Sequence, residues 1–295
     1  MTVHRDLAAI EARHIDFAYP DGTKALTDVS FRANEGELVA VLGANGSGKT
    51  TLLKVLMRLL HPQRGETRLG STDARKLSAT ELYRRVGMVF QNPADQLFGA
   101  TVQEDVAFGP RNLGLSEDDV KARVEQSLVA VGAADLRSRP IHHLSYGQQK
   151  RICLAGVLAM QPSVLLLDEP TAGLDPCGES QMVDVLLELN RRRRTTLVVA
   201  THGVDLLPVM ADRVYVLGRG RVVREGTPRE VFADPDRIAE AGLRSPLVTQ
   251  LFYPLQGRAG LTLDQLPLSV AEAQHQILRW LDNALVAPRE QGGGP

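Results

Sequence analysis

Eight consecutive residues, Gly43-Ala44-Asn45-Gly46-Ser47-Gly48-Lys49-Thr50, have the order of a phosphate-binding loop. Gly43, Gly46 and Gly48 let backbone N–H groups curl around a β-phosphate, with Asn45 and Ser47 between them. A helix launched at Lys49 adds its positive end. Lys49 would reach the β- and γ-phosphates, the Thr50 hydroxyl would ligate Mg²⁺, and Thr51 belongs to the same binding turn. A second group follows the apolar run Val164–Leu167, where Asp168 and Glu169 stand side by side before Pro170. Strands of an open α/β sheet present their ligand-binding groups at this end. Asp168 would hold Mg²⁺ through water, and Glu169, pointing the other way, would polarise an attacking water. Together the two groups support hydrolysis of a nucleoside triphosphate.

These residues need rigid elements behind them. Short β-like runs open the chain at Ala12 to Phe17, Ala25 to Phe31 and Glu37 to Leu42. A helix is expected from Lys49 to Leu60, stopped by Pro62. Further strands are expected at Val86 to Phe90, Val164 to Leu167, Thr196 to Ala200, Val214 to Leu217 and Arg221 to Arg224. The runs at 164 and 196 are almost wholly apolar, as in strands buried on both faces of a parallel sheet. Thr101-x-x-Glu104 and Ser145-x-x-Gln148 read as capping boxes, and Ser116 before Glu117, Asp118 and Asp119 reads as an N-cap. Residues from about 93 to 160 are therefore expected to be mostly helical, inserted between sheet segments. The fold class is α/β.

After Gly226 the character changes. Thr227-Pro228-Arg229-Glu230 caps a short helix, and beyond it Pro235, Pro246, Pro254 and Pro267 break the chain repeatedly. Ser269-x-x-Glu272 starts a helix with Val270, Ala273, Ile277 and Leu281 at helical spacing. The expected division is 1–233, a small accessory domain at 234–285, and a flexible tail at 286–295.

The chain of 295 residues carries 34 Lys+Arg against 35 Asp+Glu, a formal charge of −1, which argues against a general binder of nucleic acid. Arg191 to Arg194 ends a helix, where cations complement its negative end, and reads as a solvated face. His142-His143 lacks the partners a metal site needs. With only Cys153 and Cys177, neither a disulfide framework nor an all-cysteine zinc site is available. No apolar run approaches membrane-span length, and Met1 to Glu11 lacks the apolar centre of a secretory signal. A soluble protein of the reducing cytoplasm is expected.

Between the loop and the acidic pair lies Leu144-Ser145-Tyr146-Gly147-Gln148, followed by Gln149, Lys150 and Arg151. With Gln91 ending a strand, Gly173-Leu174-Asp175, and His202 after another strand, residues 10 to about 232 resemble an ATP-binding-cassette ATPase. The resemblance implies a P-loop nucleotide-binding domain: a RecA-like core, an antiparallel β subdomain and the inserted helical subdomain. It also implies a head-to-tail dimer enclosing two ATP molecules, each bound by the phosphate loop of one subunit and by Ser145, Gly147 and Gln148 of the other; the one complete set of motifs permits a homodimer without requiring one. Tyr19 lies where such ATPases stack an aromatic on adenine. Gln91 would sense Mg²⁺ or the attacking water, His202 would contact the γ-phosphate, and Asp175 would couple the two sites. Two departures stand out. Tyr146 replaces the glycine most cassettes carry, and Gly203 stands where an aspartate usually follows the histidine.

The stretch Gln91 to Val102, continuing Glu104 to Asn112, and the stretch Ala155 to Pro162 resemble the ATPase of energy-coupling-factor importers, most closely its cobalt/nickel branch. That likeness implies peripheral attachment at the cytoplasmic face of the cell membrane. It also implies docking of a membrane coupling protein into a groove after Gln91, beside a substrate-binding membrane subunit that selects the ion. Leu97, Phe98, Val102 and Phe108 are each either groove-lining or core. Vitamin uptake is the alternative within the group. A soluble cassette ATPase of DNA repair or translation is the alternative outside it, against which stand the single phosphate loop, the lack of a long heptad run and the lack of a cysteine cluster. A small-molecule kinase and a non-hydrolysing regulatory module fit less well with Leu144 to Gln148 and with Lys49, Asp168, Glu169 and His202 all present.

Overall fold

The computed structural model describes residues 7–258, 263 and 265–286. The strands are β1 Ala8–Ala18, β2 Lys24–Asn34, β3 Leu38–Leu42, β4 Arg64–Leu69, β5 Thr72–Asp73, β6 Val86–Val89, β7 Val164–Asp168, β8 Thr196–Thr201, β9 Arg213–Gly218 and β10 Arg221–Gly226. The helices are α1 Lys49–Leu56, α2 Ala79–Arg85, α3 Val102–Asn112, α4 Glu117–Ala130, α5 Tyr146–Leu158, α6 Pro176–Arg193, α7 Leu207–Met210, α8 Pro228–Phe232, α9 Pro235–Glu240, α10 Leu247–Phe252 and α11 Val270–Val286.

One sheet is antiparallel, in the order β2-β1-β4-β5. The other runs β10-β9-β3-β8-β7-β6, parallel from β9 to β6 with β10 as an antiparallel edge. In the parallel sheet every residue of β3, β7 and β8 is buried, because layers cover both faces. Val39, Val41, Leu166 and Val198 face α1 and the antiparallel sheet. Leu38, Leu165, Leu167 and Leu197 alternate to the other face, against Ile152 of α5 and Leu186 of α6. The register pairs Leu42 with Thr201 and Asp168 with Ala200, so β3, β8 and β7 end side by side. Residues 43, 202 and 169, each following one of these strands, are thereby delivered to one edge of the sheet.

The helix after the glycine-rich turn ends earlier than its sequence suggests. It stops at Leu56, well short of Leu60 and Pro62. Arg58 adopts a left-handed φ of 58°, and the Leu59 N–H closes the turn on the Lys54 carbonyl at 2.8 Å. The Arg58 guanidinium donates to the carbonyls of Ala74 and Leu77 at 2.6 and 2.8 Å, which fixes that turn from outside the helix.

The insert between β6 and β7 is helical, with α3, α4 and α5 packed on one another. Ser145 and Gln148 make both halves of their capping box, at 3.3 and 2.9 Å. Thr101 and Glu104 make only one: Glu104 accepts from the Thr101 N–H at 3.2 Å, while Thr101 Oγ1 is buried without a partner.

The polypeptide after 234 shares a core with the parallel sheet, since Ile238, Leu243 and Leu268 pack in one cluster with Ala40, Leu42 and Phe232. On α11 only Ala273 of the expected stripe is buried, in a small cluster with Phe252 and Leu266. Val270, Ile277 and Leu281 are exposed. Val286 closes α11, and the rest of the expected tail lies outside the described residues.

Candidate nucleotide-binding and hydrolysis site

The glycine-rich turn is shaped by close backbone approach. A β-carbon on Gly43 would stand 2.3 Å from Ser47 Oγ and 2.7 Å from the Leu217 carbonyl. Gly48, with φ of 106°, would set one 2.6 Å from the Ala25 carbonyl, so neither position admits a side chain. Lys49, 6% exposed, donates to the carbonyls of Gly43 at 2.8 Å and Ala44 at 3.3 Å. Folded back in this way, its ammonium lies along the concave side of the turn. Thr50 Oγ1 donates to Asp168 Oδ2 at 2.8 Å, which links the loop to the end of β7.

Asp168 and Glu169 are 2% and 5% exposed. Burial foremost, and then the charge of Glu169, raises the Asp168 pKa above the ordinary carboxylate value, while the Thr50 hydroxyl pulls it back down. The other oxygen, Oδ1, is buried without a hydrogen-bond partner. Glu169 leaves the strand with a left-handed φ of 48°, which swings its carboxylate away from Asp168. Its Oε1 lies 2.8 Å from His202 Nδ1 and 3.6 Å from Lys49 Nζ, and its Oε2 accepts from Thr201 Oγ1 at 3.2 Å. Thr201 in turn accepts from the Gly203 N–H at 3.0 Å. A β-carbon on Gly203 would meet that same oxygen at 3.5 Å, an ordinary contact, so packing does not require glycine there.

A cleft of about 500 Å³ opens over the turn, lined by Tyr19, Asn45, Gly46, Ser47, Gly48, Lys49, Thr50, Thr51, Gln91 and Glu169. Tyr19 forms one wall, edge-on to Phe17 at 5.0 Å, with its hydroxyl 2.9 Å from Thr51 Oγ1. Gln91 stands exposed at the mouth. His202 lines a neighbouring pocket with Ala44 and Asn45, and Asn45 also lines the cleft.

The structure does not bring every sequence-derived residue to this cleft. Ser145, Gly147 and Gln148 begin α5 elsewhere on the surface, with Ser145 exposed. Asp175 caps α6, accepting from the Gly178 N–H at 2.7 Å, and also stays outside. Two contributors went unmarked in the sequence. Thr201 looks like the last apolar-run residue of β8, and only the register beside β7 reveals its contact with Glu169. Lys150 takes no role from its place after Gln148 and Gln149 in the sequence, yet it is 1% exposed and donates to the Glu169 carbonyl at 2.8 Å.

Beside Gln91 lies an apolar groove of about 510 Å³, lined among others by Met57, Leu59, Tyr83, Phe98, Phe108 and Met160. Phe98 and Phe108 meet edge to face at 4.6 Å and are 64% and 48% exposed. Leu97 is half-buried and Val102 fully buried, so two of the four candidate residues line the groove and two do not. Cys153, on α5 within the helical insert, is inert by burial, which pushes its thiol up to about 12.

Known proteins resemble this chain over most of its length. The sequence profile of the ABC transporter family matches residues 26–172. A relative from Geobacter sulfurreducens, provisionally named an ABC transporter ATP-binding protein, is 51% identical over 90% of this chain and 95% of its own length. The energy-coupling factor transporter ATP-binding protein EcfA of Methanocaldococcus jannaschii is 44% identical over 92% of this chain and 98% of its own. Among solved structures, CbiO1 from Clostridium perfringens, described as part of the ABC transporter complex CbiONQ, superposes with a TM-score of 0.72. It is 39% identical, and the match covers 84% of this chain and all of that one.

Proposed function

The chain belongs to the ABC transporter ATPase family, whose members hydrolyse ATP to power transport, and from that premise we propose that it drives an energy-coupling-factor importer for a transition-metal ion, cobalt or nickel. The observation that carries the transport reading is the groove beside Gln91. Its exposed pair Phe98 and Phe108 offers an apolar seat for short helices of a membrane coupling protein, directly next to the nucleotide cleft. The resemblance of Gln91 to Asn112 and of Ala155 to Pro162 to the cobalt/nickel branch favours a metal ion as cargo, and the likeness to EcfA favours the energy-coupling group. A separate membrane subunit would bind the ion, with this chain peripheral on the cytoplasmic face. Among the described residues no helix is long and apolar enough to cross a membrane.

Two copies would work head to tail. The first turn of α5, with Ser145 capping it and Gly147 exposing backbone, lies outside the chain's own cleft and would close the cleft of a second copy. Asp175, at the exposed start of α6, would sit at the contact between them. ATP completes both sites only in the closed dimer, and this difference in affinity between open and closed states would move the docked coupling helices.

Within each cleft Lys49 would exchange the Gly43 and Ala44 carbonyls for phosphate oxygens, and Tyr19 would stack on adenine. Thr50, Asp168 and Gln91 supply the hard oxygen donors that suit Mg²⁺, and the buried, unpartnered Oδ1 of Asp168 fits that role. Bound there, Mg²⁺ would neutralise charge on the phosphates. Glu169, oriented by Thr201 and His202, would take a proton from water as that water attacks the γ-phosphate. His202 would hold a γ-phosphate oxygen.

The test is purification of the tagged chain from native membranes in mild detergent, followed by reconstitution and uptake. Multi-span membrane proteins that co-purify, with ATP-dependent cobalt or nickel uptake, are the expected result. Vitamin uptake by the same assembly would overturn the metal reading alone. Soluble partners or nucleic acid without membrane subunits would overturn the transport reading.

A further inference from the structure

Lys150 is among the largest fully buried side chains of the protein, at 1% exposure. A lysine ammonium taken out of water costs several kcal/mol unless charge and hydrogen bonds compensate it. Burial accordingly lowers its pKa, and the neighbouring carboxylates of Asp168 and Glu169 oppose that shift. Its hydrogen bond goes to the main-chain carbonyl of Glu169, at 2.8 Å. One turn earlier on α5, the Tyr146 ring lies over the ammonium with its centroid 5.8 Å away. The same ring leans on the loop after Glu169, where a β-carbon on Gly173 would stand 2.9 Å from it.

The carbonyl that Lys150 holds belongs to an unusual backbone. A left-handed φ is unfavourable for a non-glycine residue, and Glu169 adopts one at 48°. This turn separates the two neighbouring carboxylates. It leaves Asp168 on Thr50 and aims Glu169 at His202, Thr201 and Lys49. Three bonds fix the Glu169 peptide groups: its N–H to Ala200 at 2.9 Å, and its carbonyl from the Ala172 N–H at 3.2 Å and from Lys150. Of these only the Lys150 bond comes from a charged side chain, and only it comes from the helical insert. Lys49, the other buried lysine near the pair, is committed to the phosphate turn.

We propose that Lys150 is a positioning residue for hydrolysis: by gripping the Glu169 carbonyl it holds the left-handed turn that aims the Glu169 carboxylate into the cleft. This rests on the reading of Glu169 as the group that takes the proton from water. Tyr146, in place of a glycine, covers the ammonium and presses the loop at Gly173 onto α5.

Steady-state ATPase assays on the full chain, alone and as K150M, K150R, E169Q and E169Q/K150M, separate the two readings. K150M is expected to lower kcat by about 10-fold or more with KM for ATP within about threefold. K150R, which keeps a cationic donor, is expected to recover most of that loss. In the E169Q background K150M is expected to cost less than about twofold, because its effect passes through the carboxylate already removed. Thermal unfolding checks that each variant is folded, and K150Q with E169Q/K150Q takes the place of K150M if K150M does not fold. Wild-type turnover by K150M beside a disabled E169Q overturns the Lys150 proposal and leaves Glu169 standing. Equal losses from K150M in both backgrounds make Lys150 a packing residue and overturn it as well. Near-normal turnover by E169Q removes the Glu169 reading, and the Lys150 proposal with it.

Discussion

His202 and Glu169, which follow neighbouring strands of the parallel sheet, share a hydrogen bond of 2.8 Å between Nδ1 and Oε1. The histidine is 56% exposed on its side chain and the glutamate only 6%, so the pair joins a buried carboxylate to an exposed imidazole. Glu169→Gln keeps the shape and removes the proton acceptor. Turnover should fall by about 10²-fold or more, the usual loss of a general base. ATP binding should survive, and the variant should accumulate as an ATP-bound dimer in size-exclusion chromatography. A Glu169→Gln protein that hydrolyses at the native rate and elutes as a monomer with ATP would remove Glu169 from its role.

Much of this site was legible because its parts are contiguous in sequence. The turn 43–50 and the pair Asp168-Glu169 each carry their own pattern, and apolar runs before them announce buried parallel strands. The links between them are not contiguous. Thr201 touches Glu169 only because β8 lies between β3 and β7, and no local pattern encodes that strand order. Lys150 carries no local signal of burial, and only packing of α5 against the end of β7 buries it. The end of α1 differs from expectation for a similar reason. Arg58 is left-handed and its side chain donates to distant carbonyls at Ala74 and Leu77, contacts that no local pattern encodes, and the helix stops before the proline expected to end it. No pattern marked β4 or β5, which are short and partly exposed, whereas α2 opens on the capping box Ser78-x-x-Glu81, a signal present in the sequence but absent from the elements expected of it.

The groove beside Gln91 sets a second expectation. Phe98 and Phe108 contact each other and are otherwise largely exposed, so truncating both removes apolar contact area without opening a core cavity. Phe98→Ala with Phe108→Ala should leave the melting temperature within about 2 °C, since the pair contributes about 1 kcal/mol. Recovery of the membrane partner by pull-down should fall by about 10-fold or more, as for loss of a central aromatic anchor. Undiminished recovery would place the partner on another surface.

Cys177 comes after Asp175-Pro176 at the exposed start of α6, whereas burial lifts the Cys153 thiol to about 12. A maleimide should therefore label the native chain at Cys177, and Cys153 should react only in denaturant. Because Cys177 lies beside the proposed dimer contact, labelling should slow by about fivefold or more when Glu169→Gln is incubated with ATP. Mass spectrometry of the labelled peptides measures both. A rate unchanged by ATP would move the contact away from Asp175.

Asp168 supplies the last prediction, in which function and stability pull apart. Burial raises its pKa in the folded chain, so folding favours the protonated form. The stability associated with this group is therefore fully present below its unfolded pKa of about 4 and is lost as pH rises through the folded value. At neutral pH the ionised carboxylate is a net cost to the nucleotide-free fold, because one oxygen is buried with no hydrogen-bond partner. Asp168→Asn removes the charge and retains an acceptor for Thr50. It should raise the melting temperature of the nucleotide-free chain by about 2–4 °C at pH 7, for about 1 kcal/mol gained. The gain should shrink toward zero near pH 4, where the native aspartic acid is itself protonated. The same variant should lose Mg²⁺-dependent ATPase activity by about 10²-fold, as expected when the acidic partner of the cation is gone. Differential scanning calorimetry across that pH range, paired with ATPase assays at varied Mg²⁺, reads both effects. A variant that melts lower than the native chain at pH 7 would show that the buried carboxylate stabilises the nucleotide-free fold.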